Sequence, residues 1–191
     1  MLLPAAERGA QIAAMHPAMT FTGTDVDLAR VPGAVFGCTG ADDVRAVVEG
    51  LVRDLGGSAA WIGEEQRVLY HAALAHGANH LVTLVNQATE LLRSTGVADP
   101  AAIVRPLLQA ALDNALSYGD AALTGPIVRG DVHTVRDHLA TLADTSPETL
   151  ETYVAMGRAT ANHAVLDGRL QPQRAAAVVE ALNDAWVRAS Q

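Results

Sequence analysis

The sequence predicts a mostly α-helical protein with a small α/β part in front. Three observations carry this. The first sixty or so residues hold three short apolar runs of strand length and one amphipathic segment. From Gly63 onward the periodicity is helical, segment after segment, with no strand-like run. Aromatic residues make up only 4% of the chain, and alanine is abundant, a mix that favours close-packed helices over a sheet-rich fold.

The elements follow in order. Ala10–Met15 is short, apolar and bounded by Gly9 and His16-Pro17, which reads as a buried strand. Ala34–Cys38 is a second strand, entered through Pro32-Gly33. Ala41–Leu55 has Val44, Val47, Val48, Leu51, Val52 and Leu55 at helical spacing, an aspartate-rich start and a Gly56-Gly57 stop. Ser58–Ile62 is a third strand. These strands and their helix form a fragment of an α/β layer, which needs more strands to close its core. Glu64–Arg93 reads as one unbroken helix ended by Gly96, well beyond the usual length of about 10–14 residues. Asp99-Pro100 opens the next, with Asp99 as N-cap, and Gly119 closes it after Tyr118. Thr124–Asp131 is a loop by its glycine and proline content. Asp131 caps a helix to about Ala143, Ser146-Pro147 starts another that runs to Leu166, and the last spans about Pro172–Arg188. The domain division is therefore 1–62 and 63–191.

Composition excludes several functions. Half of the residues are apolar, so a sizeable core can be buried, and a net charge of −8 argues against a nucleic-acid partner. All 13 basic residues are arginine, which removes Schiff-base chemistry and the phosphate-loop lysine. Cys38 is the single cysteine, so neither an internal disulfide nor a thiolate zinc site can form. Its apolar surroundings suit a small core residue better than a nucleophile. No signal peptide or membrane-length apolar run is visible, so the expectation is a cytoplasmic protein with no membrane association. No Gly-x-Gly-x-x-Gly run links a strand to a helix, so the dinucleotide fingerprint is missing.

Candidate site residues are polar groups at element ends and on helix faces. His16 directly follows the first strand, where ligands gather in open α/β sheets, and an imidazole there can exchange a proton near neutral pH. The alternative is an ordinary loop histidine. His71, Asn79 and Asn86 lie roughly along one stripe of the long helix, facing either a cleft or a partner subunit. His76 and His80, four apart, have the spacing of two metal ligands but lack an evident third, so no metal is expected. Arg129, in a glycine-rich loop beside Asp131, suits an anionic group or a local ion pair.

Three stretches together resemble one family. His16-Pro17-Ala18-Met19-Thr20-Phe21-Thr22-Gly23 is similar to the His-Pro motif of the Rossmann-like proteins carrying the domain of unknown function 2520. His71–Leu84 resembles the start of that family's helical domain. Leu123–Asp131 resembles its Thr-Gly-Pro loop. The resemblance implies a dinucleotide-binding domain followed by a helical domain like the C-terminal one of 6-phosphogluconate dehydrogenase. Ketopantoate reductase, pyrroline-carboxylate reductase and prephenate dehydrogenase are its relatives. On that basis residues 1–62 are the last strands of a Rossmann-like domain, and 63–191 are a helical substrate and dimerisation domain. The implied activity is NAD(P)-dependent oxidation or reduction of a small substrate, with His16, His71 and Asn79 in catalysis. Thr124 and Arg129 would anchor substrate, and the helices would make a homodimer. The glycine loop and first strands lie outside this chain, and the lysine that several relatives use is replaced, near its position, by His71. The alternative function is a non-catalytic helical dimerisation module; a metal hydrolase using His76 and His80 is a third.

Overall fold

Antiparallel pairing of the first two strands decides which way His16 faces. The computed structural model describes residues 3–189. A short helix α1 (Leu3–Ala6) leads to β1 (Ala13–Pro17), then α2 (Asp25–Arg30), β2 (Val35–Gly40), α3 (Arg45–Asp54) and β3 (Ser58–Trp61). The sheet order is β1-β2-β3. β2 and β3 run parallel around the α3 crossover, whereas β1 is antiparallel to β2.

β1 begins and ends later than the apolar run Ala10–Met15 suggests. The ladder from Ala13↔Gly40 to Pro17↔Phe36 takes in the His-Pro pair itself. Proline is tolerated because β1 is an edge strand and Pro17 is its last residue. His16 is thus inside the strand rather than beyond it. Its strand end also lies beside the starts of β2 and β3, not their C-terminal ends, because β1 runs the opposite way.

Alternation assigns the two faces. Phe36 and Cys38 point to α3 and pack with Val44, Val48 and Val52, all buried, and with Met15 and Trp61. Cys38 has no exposed surface and its thiol donates to the Phe36 carbonyl at 3.4 Å. Burial pushes the thiol pKa up, with Glu49 adding to the effect, as befits a core residue. His16, paired with Gly37, occupies the opposite face.

The long segment after Gly63 is helical but not uniform. A 3₁₀ turn (Glu64–Gln66) leads into α4 (Arg67–Leu74), a π-helical turn (Ala75–Asn79) follows, and α5 (His80–Ser94) completes it. The single helix expected over 64–93 is therefore interrupted by one wide turn. Beyond it come α6 (Pro100–Tyr118), α7 (Val132–Thr145), α8 (Pro147–Leu166) and α9 (Pro172–Ala189). Asp99 caps α6 by accepting from the Ala102 amide at 3.2 Å, and Asp131 caps α7 through the Thr134 amide at 3.1 Å. α7, α8 and α9 bury Val135, Leu139, Leu150, Val154, Val178 and Leu182 against one another. Gly157 lets α8 and α9 close: a Cβ there would lie 3.0 Å from Leu182 Cδ2.

The protein is thus a helical molecule with a small, open, mixed three-stranded sheet preceding a helical bundle, a partial Rossmann-like sheet plus helical domain. It divides into two compact units, Met1–Leu84 and Val85–Gln191, each described by itself below. The division falls inside α5, later in the chain than the end of the sheet. Among the described residues no helix is long and apolar enough to cross a membrane.

Candidate functional site

In the first unit, the polar face of the sheet gathers three rings. Gly37 sits opposite His16, and its missing side chain is the reason they can meet. A Cβ on Gly37 would come within 2.6 Å of Tyr70 Cζ and closer still to its hydroxyl. The hydroxyl end of the Tyr70 ring therefore lies against bare backbone, and its hydroxyl reaches His16 Nδ1 at 3.3 Å. The two rings meet edge to face, with centroids 5.8 Å apart. His71, the next residue of α4, also meets His16 edge-on, with 6.2 Å between ring centroids. His16 and His71 are exposed and Tyr70 is partly buried. Two imidazoles and a phenol thus offer exchangeable protons on one accessible face.

Sequence reasoning pairs His16 with His71 but misses Tyr70 and Gly37. The available signal is the glycine inside a strand, which marks a close approach by something else. A histidine–tyrosine contact by itself is not diagnostic. His138 and Tyr153 form another, at 2.9 Å, between α7 and α8, where burial pushes the Tyr153 pKa up. The distinction of the first is the second imidazole and the glycine seat.

The His-Pro strand leads into a loop held by one carboxylate. Asp27, buried at the start of α2, accepts from the Thr22 amide at 2.7 Å, the Thr22 hydroxyl at 2.9 Å and the Gly23 amide at 2.8 Å. Burial opposes ionisation, but these bonds and that of the Thr24 amide outweigh it and lower the Asp27 pKa.

Asn79 ends the π turn and makes no hydrogen bond to His16 or His71 among the described residues. Residues eight apart on an α-helix are rotated by about 80°. The wider π turn reduces the rotation per residue, which brings Asn79 nearer the His71 stripe. π turns recur at functional positions. His76 and His80 contact each other at 2.9 Å between Nδ1 atoms, so one ring donates its Nδ1–H and the other accepts at an unprotonated Nδ1. Among the described residues no three metal-binding side chains converge.

Thr124 and Arg129 belong to the second unit. Thr124 is exposed at the start of its loop, and Arg129 lines a cavity with Arg169 and Arg174.

Residues 34–160 match the family described as Domain of unknown function (DUF2520). The chain belongs to this family. Two solved structures are similar to this DUF2520 member. One is the protein TM1727 from Thermotoga maritima, 22% identical, with a TM-score of 0.69 over 81% of this chain. The other is BF3122 from Bacteroides fragilis, whose given name is "putative NADP oxidoreductase", 22% identical, with a TM-score of 0.64 over 79% of this chain. At this identity the likeness shows the fold. The chain spans 62% of the length of the first and 57% of the second. No curated protein sequence matches it.

Proposed function

We propose that this chain supplies the substrate-side part of an NAD(P)-dependent oxidoreductase acting on a small substrate. The observation that carries this reading is the His16–Tyr70–His71 cluster. Membership of DUF2520 and the fold shared with the Bacteroides fragilis protein support it. In this reading an imidazole of the cluster donates a proton to a substrate oxygen as negative charge develops there. His71, exposed in the cluster, is the donor; Tyr70 and His71 both contact His16. Asn79 orients substrate from the π turn. In the second unit, Thr124 and Arg129 are the residues that would bind substrate. Residues 1–62 are the last strands of a Rossmann-like domain, and 63–191 are the substrate and dimerisation domain. The protein works as a homodimer in the cytoplasm.

The residues present do not fit the cofactor's pyrophosphate. A dinucleotide's phosphates sit at a glycine turn between strand and helix, on the helix N-terminus. The turn between β2 and α3 instead carries Asp42 and Asp43. Asp42 is turned to Arg45 at 2.9 Å and Asp43 accepts from Gln11 at 3.0 Å. Two carboxylates at that position repel a pyrophosphate. The cofactor's binding elements therefore belong elsewhere than in these residues.

The same observation favours a second reading, a helical dimerisation module without catalysis of its own. Two measurements separate them. Titrating this chain with NADPH should give only weak binding; submicromolar affinity contradicts the misfit at Asp42 and Asp43. In a form that includes a glycine-loop segment, His71→Ala should lower kcat more than it changes KM. Unchanged turnover removes His71 from the mechanism and leaves the non-catalytic reading.

A further inference from the structure

The strongest charge anomaly on this acidic chain is a cavity with three arginines. Val128, Arg129, Arg169, Leu170, Gln171 and Arg174 line a space of about 650 Å³ in the helical unit. That is within the usual range of small-molecule sites, about 300–1,000 Å³. None of the lining residues is acidic, although the chain as a whole carries a net charge of −8.

The backbone brings the segments that carry these arginines together. Gly130, at φ +65°, ends the loop that carries Arg129. A Cβ on Gly130 would lie 2.9 Å from Arg174 Cβ and 3.1 Å from its Cδ. Bare backbone there lets the first turn of α9 close on the loop, and Arg174 Nη1 comes to 3.5 Å from the Arg129 carbonyl. Arg169 is fixed on another side by Asp167 at 2.7 Å and by the Leu123 carbonyl at 3.3 Å. Its charge is thus partly answered. Arg129 and Arg174 have no carboxylate oxygen within 4.0 Å among the described residues. Asp131, next to Gly130, is occupied in capping α7: the Thr134 hydroxyl and amide lower its pKa first, and Arg129 contributes less. All three arginines are exposed, and Arg129 and Arg174 make no direct ion pair among the described residues, so their guanidinium groups are open to an anion from solvent.

We propose that this cavity binds the phosphoryl group of a small phosphate ester. A single guanidinium fork already satisfies the two oxygens of a planar carboxylate. Donors arriving from Arg129, Arg169 and Arg174 match the three outer oxygens of a tetrahedral phosphoryl group instead. The apolar wall of Val128 and Leu170 leaves room for the rest of a small ester. This inference shares Arg129 with the oxidoreductase reading but needs neither cofactor nor turnover, so either can fail alone.

The test is calorimetric titration of the intact chain at low salt with inorganic phosphate, phenyl phosphate, acetate and NADP. Phosphate and phenyl phosphate should bind, and acetate at least about tenfold more weakly. Arg129→Gln and Arg174→Gln should each weaken phosphate about tenfold or more, while Arg136→Gln, on α7 outside this cavity, leaves it unchanged. Arg174→Met keeps the stem that packs on Gly130 and should weaken phosphate as Arg174→Gln does. No heat from phosphate at millimolar concentration overturns the proposal. So does acetate binding as tightly, affinity that survives both arginine substitutions, or a site that takes NADP but neither phosphate nor its simple ester.

Discussion

Gly37 determines where Tyr70 can lie, and through Tyr70 it determines what His16 touches. Gly37→Ala would put a methyl group into the phenol ring, at distances no real contact tolerates. The cheapest relief is for Tyr70 to swing off the sheet, so His16 loses its hydroxyl partner while the α3 side of the sheet is untouched. Expected is an altered ring-nitrogen NMR shift at His16, with His138 in the other unit unaffected. Tyr70→Phe should reproduce the change at His16 without moving the backbone. An unchanged His16 signal in both variants sinks the contact. Asp27 acts on the same face through the loop after Pro17. Its pKa is lowered in the folded chain, so its stabilising effect is complete above the ordinary aspartate range and is lost as pH falls through the lowered value. Amide exchange at Thr22 and Gly23, taken relative to the intrinsic rate at each pH, should therefore stay slow at pH 5 and speed up only below about pH 4. Asp27→Asn should speed it at every pH. Loss of protection already near pH 6 would mean that another group titrates.

Element by element, packing against capping can be separated. In the helical unit Leu182 is fully buried among α7, α8 and α9. Truncation there should cost about 2–5 kcal/mol, the usual range for a buried leucine that leaves a cavity. Gly157→Ala adds rather than removes atoms, 3.0 Å from the same Leu182, and should cost about 1–3 kcal/mol through overpacking. Urea unfolding measures both; a neutral Gly157→Ala would show that α8 and α9 have slack between them. These helices were legible in sequence because their signals are local. Asp99-Pro100, Asp131 and Ser146-Pro147 start helices by chemistry contained within four residues. The strand ends were less legible. The ladder that places His16 inside β1 depends on pairing with Gly37, twenty-one positions away, and apolar content around Ala10 does not encode it. The π turn at Ala75–Asn79 was hidden for a different reason: its residues carry ordinary helical propensities. α2 was missed because six residues are too few to show a period.

For the whole molecule, one apolar surface left uncovered among the described residues is that of α6. Ile103 and Leu107 lie near one side of this helix and Leu112 and Leu116 near the other, with exposures of 49%, 65%, 46% and 80%. A helix apolar on both sides is normally covered on both. The α7–α9 core accounts for little of it: Pro100 and Val104 are its only buried residues. Exposed apolar area of this kind marks an interaction surface, and the homodimer proposed for the helical domain would use it. The His16–Tyr70–His71 cluster gives no such clue, since its three residues all belong to the first unit. If α6 is the dimer surface, association stabilises the fold by mass action, so the thermal midpoint should rise with protein concentration. Leu107→Glu and Leu116→Glu should abolish that dependence and leave a monomer in sedimentation, with the α7–α9 core intact by circular dichroism. A wild-type chain that sediments as a monomer at every concentration rules out α6 as a self-association surface. A dimer indifferent to both glutamates places the interface on another element, and the apolar faces of α6 would then need a different occupant.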